Sequence, residues 1–267
     1  MEKALKQKLS FGCKTMKKKL PLAAIYIAAF FHFSACSKYE KKGYMQQGGI
    51  ALTFDDERID NWYKFIPFFD STGIKATFYI CKYHLFTPDQ KSKLLILKNH
   101  GHEIAYHTTN HINMVEYIAR YHHTIDELMK NEIEIDLRKM ERDGYYPTTF
   151  AYPFGAHTGE MDQALLKRYF KSVRALNGST DYSASLAPLE KNTVFRGFGL
   201  DKSSNHSDEV MINLMKSAKN NNSCAIFVAH NINKDSKLSV TLDRLKKIAT
   251  TVKELDLKYY TIAEISQ

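Results

Sequence analysis

The chain has 267 residues, 44% of them hydrophobic and 25% charged, ordinary values for one large globular domain or two small ones. Its net charge of +9 is concentrated at one end: residues 1–35 carry seven lysines against the single acid Glu2, and the remainder carries only +3. That balance gives no reason to expect a nucleic-acid partner, and sixteen Phe with sixteen Tyr can build a sizeable core, which excludes wholesale disorder.

The lysine-rich start is followed by an apolar run from Leu20 to about Phe33 and then by small residues before Cys36. This is the order of a secretory signal, and a run of about 14 residues is short for a membrane span. Phe33-Ser-Ala-Cys36 resembles a bacterial lipoprotein box with Phe at an aliphatic position. Residues 1–36 are therefore expected to be a signal peptide with Cys36 as the lipidation site, and Met16 is an alternative start. Residues 37–48 are polar without an apolar period and read as a tether. The expected location is extracytoplasmic, lipid-anchored to a membrane of the bacterial envelope, periplasmic or at the cell surface. Of the four cysteines, Cys81 and Cys224 lie in the body of the chain beside strand-like runs, and read as small core residues rather than a disulfide.

Residues 49–267 contain no Pro/Gly-rich break, repeat or low-complexity tract and read as one domain. The first expected strand, Ile50–Phe54, ends in Asp55-Asp56-Glu57. A helical pattern over Asn61–Thr72 holds Trp62 as a core residue, and a strand over Ala76–Cys81 and a helix over Pro88–Asn99 follow. The strand Glu103–His107 runs into Thr-Thr-Asn-His111, so that two histidines stand four residues apart. In the helix expected over Tyr121–Asp143, Ile125, Leu128, Met129, Ile133, Leu137 and Met140 keep a period near 3.6, Glu132 interrupts the stripe and Gly144 ends it. The strand Thr149–Tyr152 meets Pro153-Phe154-Gly155, and a helix is expected over Asp162–Tyr169. Strands Ser172–Ala175 and Val194–Phe198 flank a loop, Leu176–Asn192, that is the expected wall of a substrate groove. After the helix Asp208–Asn220, the strand Cys224–Ala229 ends at His230, and a helix (Val240–Leu255) and a strand (Tyr259–Ile262) close the chain. Such alternation predicts a parallel sheet, open or closed into a barrel, with its chemistry at the carboxyl ends of the strands.

Each polar strand end has an ordinary explanation by itself: a helix start for the acids, a turn for Pro-Phe-Gly, a hydrogen-bonded loop residue for His230. Their gathering at one rim is what carries information. Two neutral imidazoles and one carboxylate bind a divalent transition metal and leave positions open. A neighbouring carboxylate, pointing elsewhere, can take a proton from water, and a histidine opposite can protonate a leaving group. That chemistry is metal-assisted acyl hydrolysis. The same ligand set also suits a non-heme iron oxygenase, loosely matched by His206-Ser-Asp208 with His230, but those residues fit better as a helix cap. A glycosidase would rest on two separated carboxylates and needs no histidines.

Thr53-Phe-Asp-Asp56, His107-Thr-Thr-Asn-His111, Tyr152-Pro-Phe-Gly155 and Val228-Ala-His230, together with Gly73–Ile80 and Gly101–Thr108, resemble the polysaccharide deacetylase family, carbohydrate esterase family 4, from about Ile50 to Ile265. The resemblance implies a distorted (β/α) barrel of seven to eight mostly parallel strands and removal of acetyl groups from a glycan. N-acetylglucosamine-containing polymers are the first expectation; O-acetyl xylan or glycan esters, or an inactive carbohydrate-binding lipoprotein of the same fold, are the alternatives. It further implies Asp55 as general base, Asp56, His107 and His111 as metal ligands with zinc the commonest ion, the Phe154 backbone N–H as oxyanion donor, and His230 as general acid. Three positions depart from the family pattern. Glu57 stands where glycine is frequent and adds a negative charge near the metal. Ala151 stands where an arginine often tethers the base, and Arg196 is the expected substitute. No Asp-x-x-Asp-Trp-like fourth motif is present to supply a partner for His230.

Overall fold

The computed structural model describes residues 47–188 and 193–266. The expected signal peptide, Met16, Cys36 and all but the last two residues of the expected tether lie outside them.

In chain order the strands are β1 (Gly49–Asp56), β2 (Ala76–Ile80), β3 (Glu103–Tyr106), β4 (Thr149–Ala151), β5 (Ser172–Leu176), β6 (Leu186–Ala187), β7 (Val194–Gly199), β8 (Cys224–Ala229), β9 (Asn231–Ile232), β10 (Ser239–Val240) and β11 (Lys258–Tyr260). The helices are α1 (Ile59–Tyr63), α2 (Ile66–Thr72), α3 (Pro88–Asn99), α4 (Met114–Tyr121), α5 (Ile125–Leu128), α6 (Ile135–Arg142), α7 (Gly159–Arg168), α8 (Asp208–Asn220), α9 (Leu242–Glu254) and α10 (Ile262–Ile265), with a π-helical turn over Met129–Glu134. Strands β1, β2, β3, β4, β5, β7 and β8 pair in that order, all parallel, and β8 returns to β1. The sheet is thus a closed barrel of seven strands with helices around it, as the alternation of elements predicts.

Closure dictates how each strand is buried. β1 is buried along its whole length. Its alternate residues Ile50, Leu52 and Phe54 join the large apolar layer under the helices, while Ala51 joins a second cluster with Tyr79, Ala105, Ala151, Phe195 and Ile226. Those inward residues come from six strands, and three of them are alanines, which suits a narrow interior. Two seams distort the barrel. β2 pairs β1 only from Leu52 onward, and β11 fills the edge below it at Gly49–Ala51. β7 meets β8 only at Phe198 and Gly199, and β6 runs antiparallel along the start of β8 below them. The loop after β5 therefore descends to the amino-terminal end of β8, with Ala187 opposite Cys224. It does not wall the carboxyl rim over its length, as expected of Leu176–Asn192; its residues 189–192 lie outside the described ones.

Two of the expected helices are broken. The Asn61–Thr72 helix divides after Tyr63 and resumes with Pro67 in its first turn, where a proline is tolerated. The Tyr121–Asp143 helix begins instead at Thr124, whose side chain forms a reciprocal cap with Glu127, and passes through the π-turn before α6. α4 is a separate helix, capped by Asn113 and stopped at His122 in the left-handed region. Cys81 and Cys224 are buried free thiols.

Candidate metal centre and active site

Asp55 and Asp56 are the last two residues of β1, and their alternation sends them in different directions. Asp55 continues the inward side of Ala51 and Thr53. Both are almost fully buried, at 3% and 5% exposure, so each carboxylate must find compensation inside the protein.

Asp56 finds it in the histidines. Its Oδ1 lies 3.0 Å from Nε2 of His111 and 3.8 Å from Nε2 of His107, and the three ligand atoms fall within 4.8 Å of one another. Among the described residues this is the one such cluster of three His, Cys, Asp or Glu groups. Nδ1 of His107 lies 2.7 Å from the carbonyl oxygen of Ala151. A carbonyl only accepts, so Nδ1 carries the hydrogen and Nε2 presents its lone pair to the cluster. Burial disfavours the imidazolium of His107 and, with the opposing pull of Asp55 and Asp56, leaves its pKa lowered to about 4, so the ring is neutral near pH 7. Burial raises the Asp56 carboxyl, but the adjacent His111 ring and the charges of His107, His230 and His111 overcome it and hold the group far below the usual carboxylate range. Asp56 Oδ1 is buried without a hydrogen-bond donor. An ionised oxygen without a donor, facing the Nε2 atoms of two imidazoles, is what a divalent cation satisfies, and the donor set fits zinc.

The loop carrying the two histidines is tied at every step. His107 N–H donates to Ile80, Thr109 N–H to the Glu132 carbonyl, and Lys82 N–H to the Thr109 carbonyl, at 2.8, 2.8 and 3.1 Å. The Asn110 N–H and side-chain amide donate to the two Glu132 carboxylate oxygens at 2.9 and 2.7 Å. Thr108 Oγ1 accepts from His111 N–H at 3.0 Å. These bonds hold Thr108 and His111 at φ +68° and +57°, and Asp56 sits at +86°. Left-handed backbone at non-glycine residues costs about 1–3 kcal/mol each and persists where surroundings over-determine it.

Asp55 faces Arg174 on β5. One guanidinium nitrogen, Nη2, straddles both carboxylate oxygens at 2.5 Å, and Arg174 is fully buried, lying 5.0 Å from the Tyr79 ring centre. The sequence expectation of Arg196 as the tether is corrected here. Arg196 pairs with Ala175, one residue on from Arg174, so strand alternation turns it to the other face, where it is exposed. Arg174 is the parallel-register partner of Ala151, the position where the family often places its arginine. The missing charge is thus restored from the adjacent strand at the same level. A cation in the middle of the apolar strand Ser172–Ala175 was the available signal.

His230 follows β8. Its Nδ1 lies 2.5 Å from Asp201 Oδ2, its N–H bonds to Asp201 Oδ1, and Trp62 Nε1 donates to its carbonyl at 2.7 Å. Burial opposes its charge, but Asp201, Asp55 and Asp56 outweigh that and raise its pKa. Asp201, not singled out from the sequence, follows β7 directly, so the rim rule that selected the others points to it too. Trp62 is fully buried, a core residue with one polar contact.

Phe154 stands just past β4 at φ +59°, in a short 3-10 turn over Pro153–Gly155. A side chain at Gly155 would strike Leu176 at 2.7 Å, so this turn needs glycine for space as well as for its φ of +70°. Tyr152 and His157 both reach Asp162 and brace the segment. The Phe154 ring lies 5.0 Å from that of His111. Glu57, expected to load charge onto the site, instead meets Lys82 at 3.6 Å and Arg58 at 3.4 Å and accepts from the Cys81 thiol at 3.2 Å. His206 bonds to the Gly199 carbonyl, Ser207 caps α8, and Asp208 pairs with Lys247 and Arg244, so the oxygenase pattern is absorbed by local structure.

Residues 42–172 match the family described as polysaccharide deacetylase. A probable peptidoglycan-N-acetylglucosamine deacetylase of Arthroderma benhamiae is 28% identical over 137 residues, which cover 51% of this chain and 30% of that protein. The chain therefore spans less than a third of that relative's length. The Xyl-CE4 domain of a multidomain xylanase from the hindgut metagenome of Trinervitermes trinervoides shares the fold, with a TM-score of 0.56 at 20% identity over 82% of this chain and 89% of that one. So does the chitin deacetylase of Colletotrichum lindemuthianum, with a TM-score of 0.56 at 15% identity over 82% and 88%.

Proposed function

Because this chain belongs, over residues 42–172, to the polysaccharide deacetylase family, we propose that it is a metal-dependent hydrolase that removes acetyl groups from a glycan, most readily the N-acetyl groups of an N-acetylglucosamine-containing polymer. The observation that carries the reading is the buried Asp56–His107–His111 cluster, with a second carboxylate fixed beside it by Arg174. A divalent cation held there, zinc by donor type, supplies Lewis acidity for the acetyl carbonyl and lowers the pKa of water.

The remaining steps belong to the chain's own groups. Asp55 takes the proton of the attacking water, and Arg174 keeps its two oxygens in one orientation. Phe154 N–H, at the left-handed turn after β4, donates to the oxygen on which negative charge develops. His230 holds its second proton through Asp201 and delivers the first from Nε2 to the departing amine. The raised pKa of His230 serves that role, since an amine leaves an amide only if it is protonated. On the lysine, apolar and small-residue order before Cys36, we place the protein at the bacterial envelope, lipid-anchored and outside the cytoplasm.

Acetate release from N-acetylated and O-acetylated oligosaccharides tests the reading, with zinc-loaded protein, chelated protein and Asp55→Asn side by side. Release that needs both metal and Asp55 is expected, and the preferred linkage names the substrate class. Release unaffected by chelation would overturn the metal role, and no release from any acetylated glycan would overturn the enzyme.

A further inference from the structure

Two residues past Asp56 the chain turns back on its own strand end. Asp56 stands at φ +86°, where β1 gives way to α1. The Arg58 carbonyl accepts from the N–H groups of Asn61 and Trp62 at 2.9 and 3.1 Å, so its backbone is fixed as the cap of that helix. The Arg58 side chain is half-buried and returns to the Asp56 carboxylate, where Nη2 donates to Oδ2 at 3.4 Å. The two oxygens of Asp56 are thereby divided. Oδ1 faces Nε2 of His111 and of His107 and has no donor, whereas Oδ2 takes the guanidinium.

The guanidinium is itself held. Its Nη1 lies 3.4 Å from Oε1 of Glu57, while Oε2 of Glu57 meets Lys82 Nζ at 3.6 Å and accepts from the Cys81 thiol at 3.2 Å. Lys82 N–H in turn donates to the Thr109 carbonyl at 3.1 Å. This chain of contacts therefore runs from Asp56 to the loop between the two histidines. A glycine in place of Glu57 would have no group with which to hold Arg58. The acid also balances charge: a guanidinium beside a divalent cation opposes it, and the Glu57 carboxylate offsets that opposition. Nε of Arg58 is buried without an acceptor, which is a cost, and the contact with Asp56 is what the side chain gains from this position.

Resting on the reading of Asp56, His107 and His111 as a metal centre, we propose that Arg58 is a positioning residue that occupies one oxygen of Asp56 and reserves the other for the cation. Carboxylates that bind metals are oriented by outer hydrogen bonds, and loss of such a partner typically weakens binding by about ten- to hundredfold. A carboxylate kept to one oxygen suits a four-coordinate ion such as zinc. Ions that take more oxygen ligands, manganese among them, gain when both oxygens can turn toward them. Arg58 thus sets which cation the centre prefers as well as how tightly it is held.

The test needs no substrate: metal-free protein is titrated with zinc and with manganese, each in competition with a chromogenic chelator. In Arg58→Ala zinc should bind about tenfold or more weakly while manganese does not weaken, so the ratio of the two affinities falls by about the same factor. Coulomb's law alone predicts the opposite sign for zinc, since removing a positive charge favours a dication, and the sign therefore separates positioning from charge. Arg58→Lys, which keeps the charge and a donor, should lie between. The helix cap is the Arg58 carbonyl, so both variants retain it, and an unchanged melting temperature of the metal-free proteins checks the fold. Zinc bound as tightly or more tightly in Arg58→Ala overturns the proposal. So does an equal loss for zinc and manganese, which is what a merely structural role would give. If the native protein binds neither ion, the metal reading falls and the proposal with it; native zinc binding that Arg58→Ala leaves intact overturns the proposal alone.

Discussion

The proposed chemistry rests on a small number of buried charges: Asp55 against Arg174, Asp56 beside His107 and His111, and His230 against Asp201. Arg174 against Asp55 is the strictest case, since neither group reaches water. Arg174→Met should destabilise the fold by about 3–5 kcal/mol, because it strands a buried carboxylate, and should abolish turnover. Adding Asp55→Asn to it should recover much of the stability in urea unfolding but none of the activity. Arg196→Ala should change neither. A stable, active Arg174→Met protein would show that the pair does not orient the base. His230 makes a second test possible. As the proposed proton donor it must be protonated, so activity is expected to fall on the alkaline side as pH passes its raised pKa. Asp201→Asn removes the hydrogen bond and one negative charge, and the alkaline limb of the kcat profile should move to lower pH. A limb that stays in place would assign it to another group. The Asp56–His107–His111 cluster and Asp55 beside it were legible because identity and spacing are local properties. Arg174 and Asp201 were not, because each is chosen by register with a strand distant in sequence, Ala151 for one and His230 for the other.

At the level of elements, the informative departure is the expected Tyr121–Asp143 helix. Its apolar period is real, but Glu132 breaks the stripe, and the backbone there widens into a π-turn. The reason is a demand from another segment. Glu132 is buried at 2% exposure and binds both donors of Asn110, while its carbonyl accepts from Thr109 and from the Tyr106 hydroxyl. A regular helix is read from its own sequence, whereas this turn is shaped to clamp the loop between His107 and His111. The polar residue in the apolar stripe was its visible trace. If Glu132 positions His111, Glu132→Ala should weaken zinc binding by roughly ten- to hundredfold, as loss of an outer partner does in other metal sites. Glu132→Gln, which keeps one acceptor for the Asn110 N–H, should fall between. Competition against a chromogenic chelator reads the affinity directly. Zinc affinity unchanged in Glu132→Ala, with melting temperature lowered, would reduce the residue to a structural role.

For the molecule as a whole, barrel closure is what turns scattered motifs into one centre. Strand–helix alternation implied parallel strands, but the β1–β8 pairing that closes them, and the seams filled by β11 and β6, depend on how far adjacent strands overlap. No periodicity within a single strand encodes that overlap. The consequence is that Asp56 at the end of β1 and the histidines after β3 are held across the barrel rim by three distant segments, so cation binding must be linked to global stability. Zinc at a hundred times its dissociation constant should stabilise the folded state by about 2.7 kcal/mol. That appears as a higher melting temperature, which a chelator reverses and His111→Ala eliminates. Acid should act through His107, whose folded pKa is lowered to about 4 by burial. A histidine neutral in the fold is protonated more readily when unfolded, so its contribution is complete above an unfolded pKa of about 6.5 and is lost as pH falls from there toward 4. Melting curves with and without zinc at pH 8, 6 and 5 should therefore show stability declining over that window. A zinc-independent melting temperature at pH 8 would remove the cation from the Asp56–His107–His111 cluster.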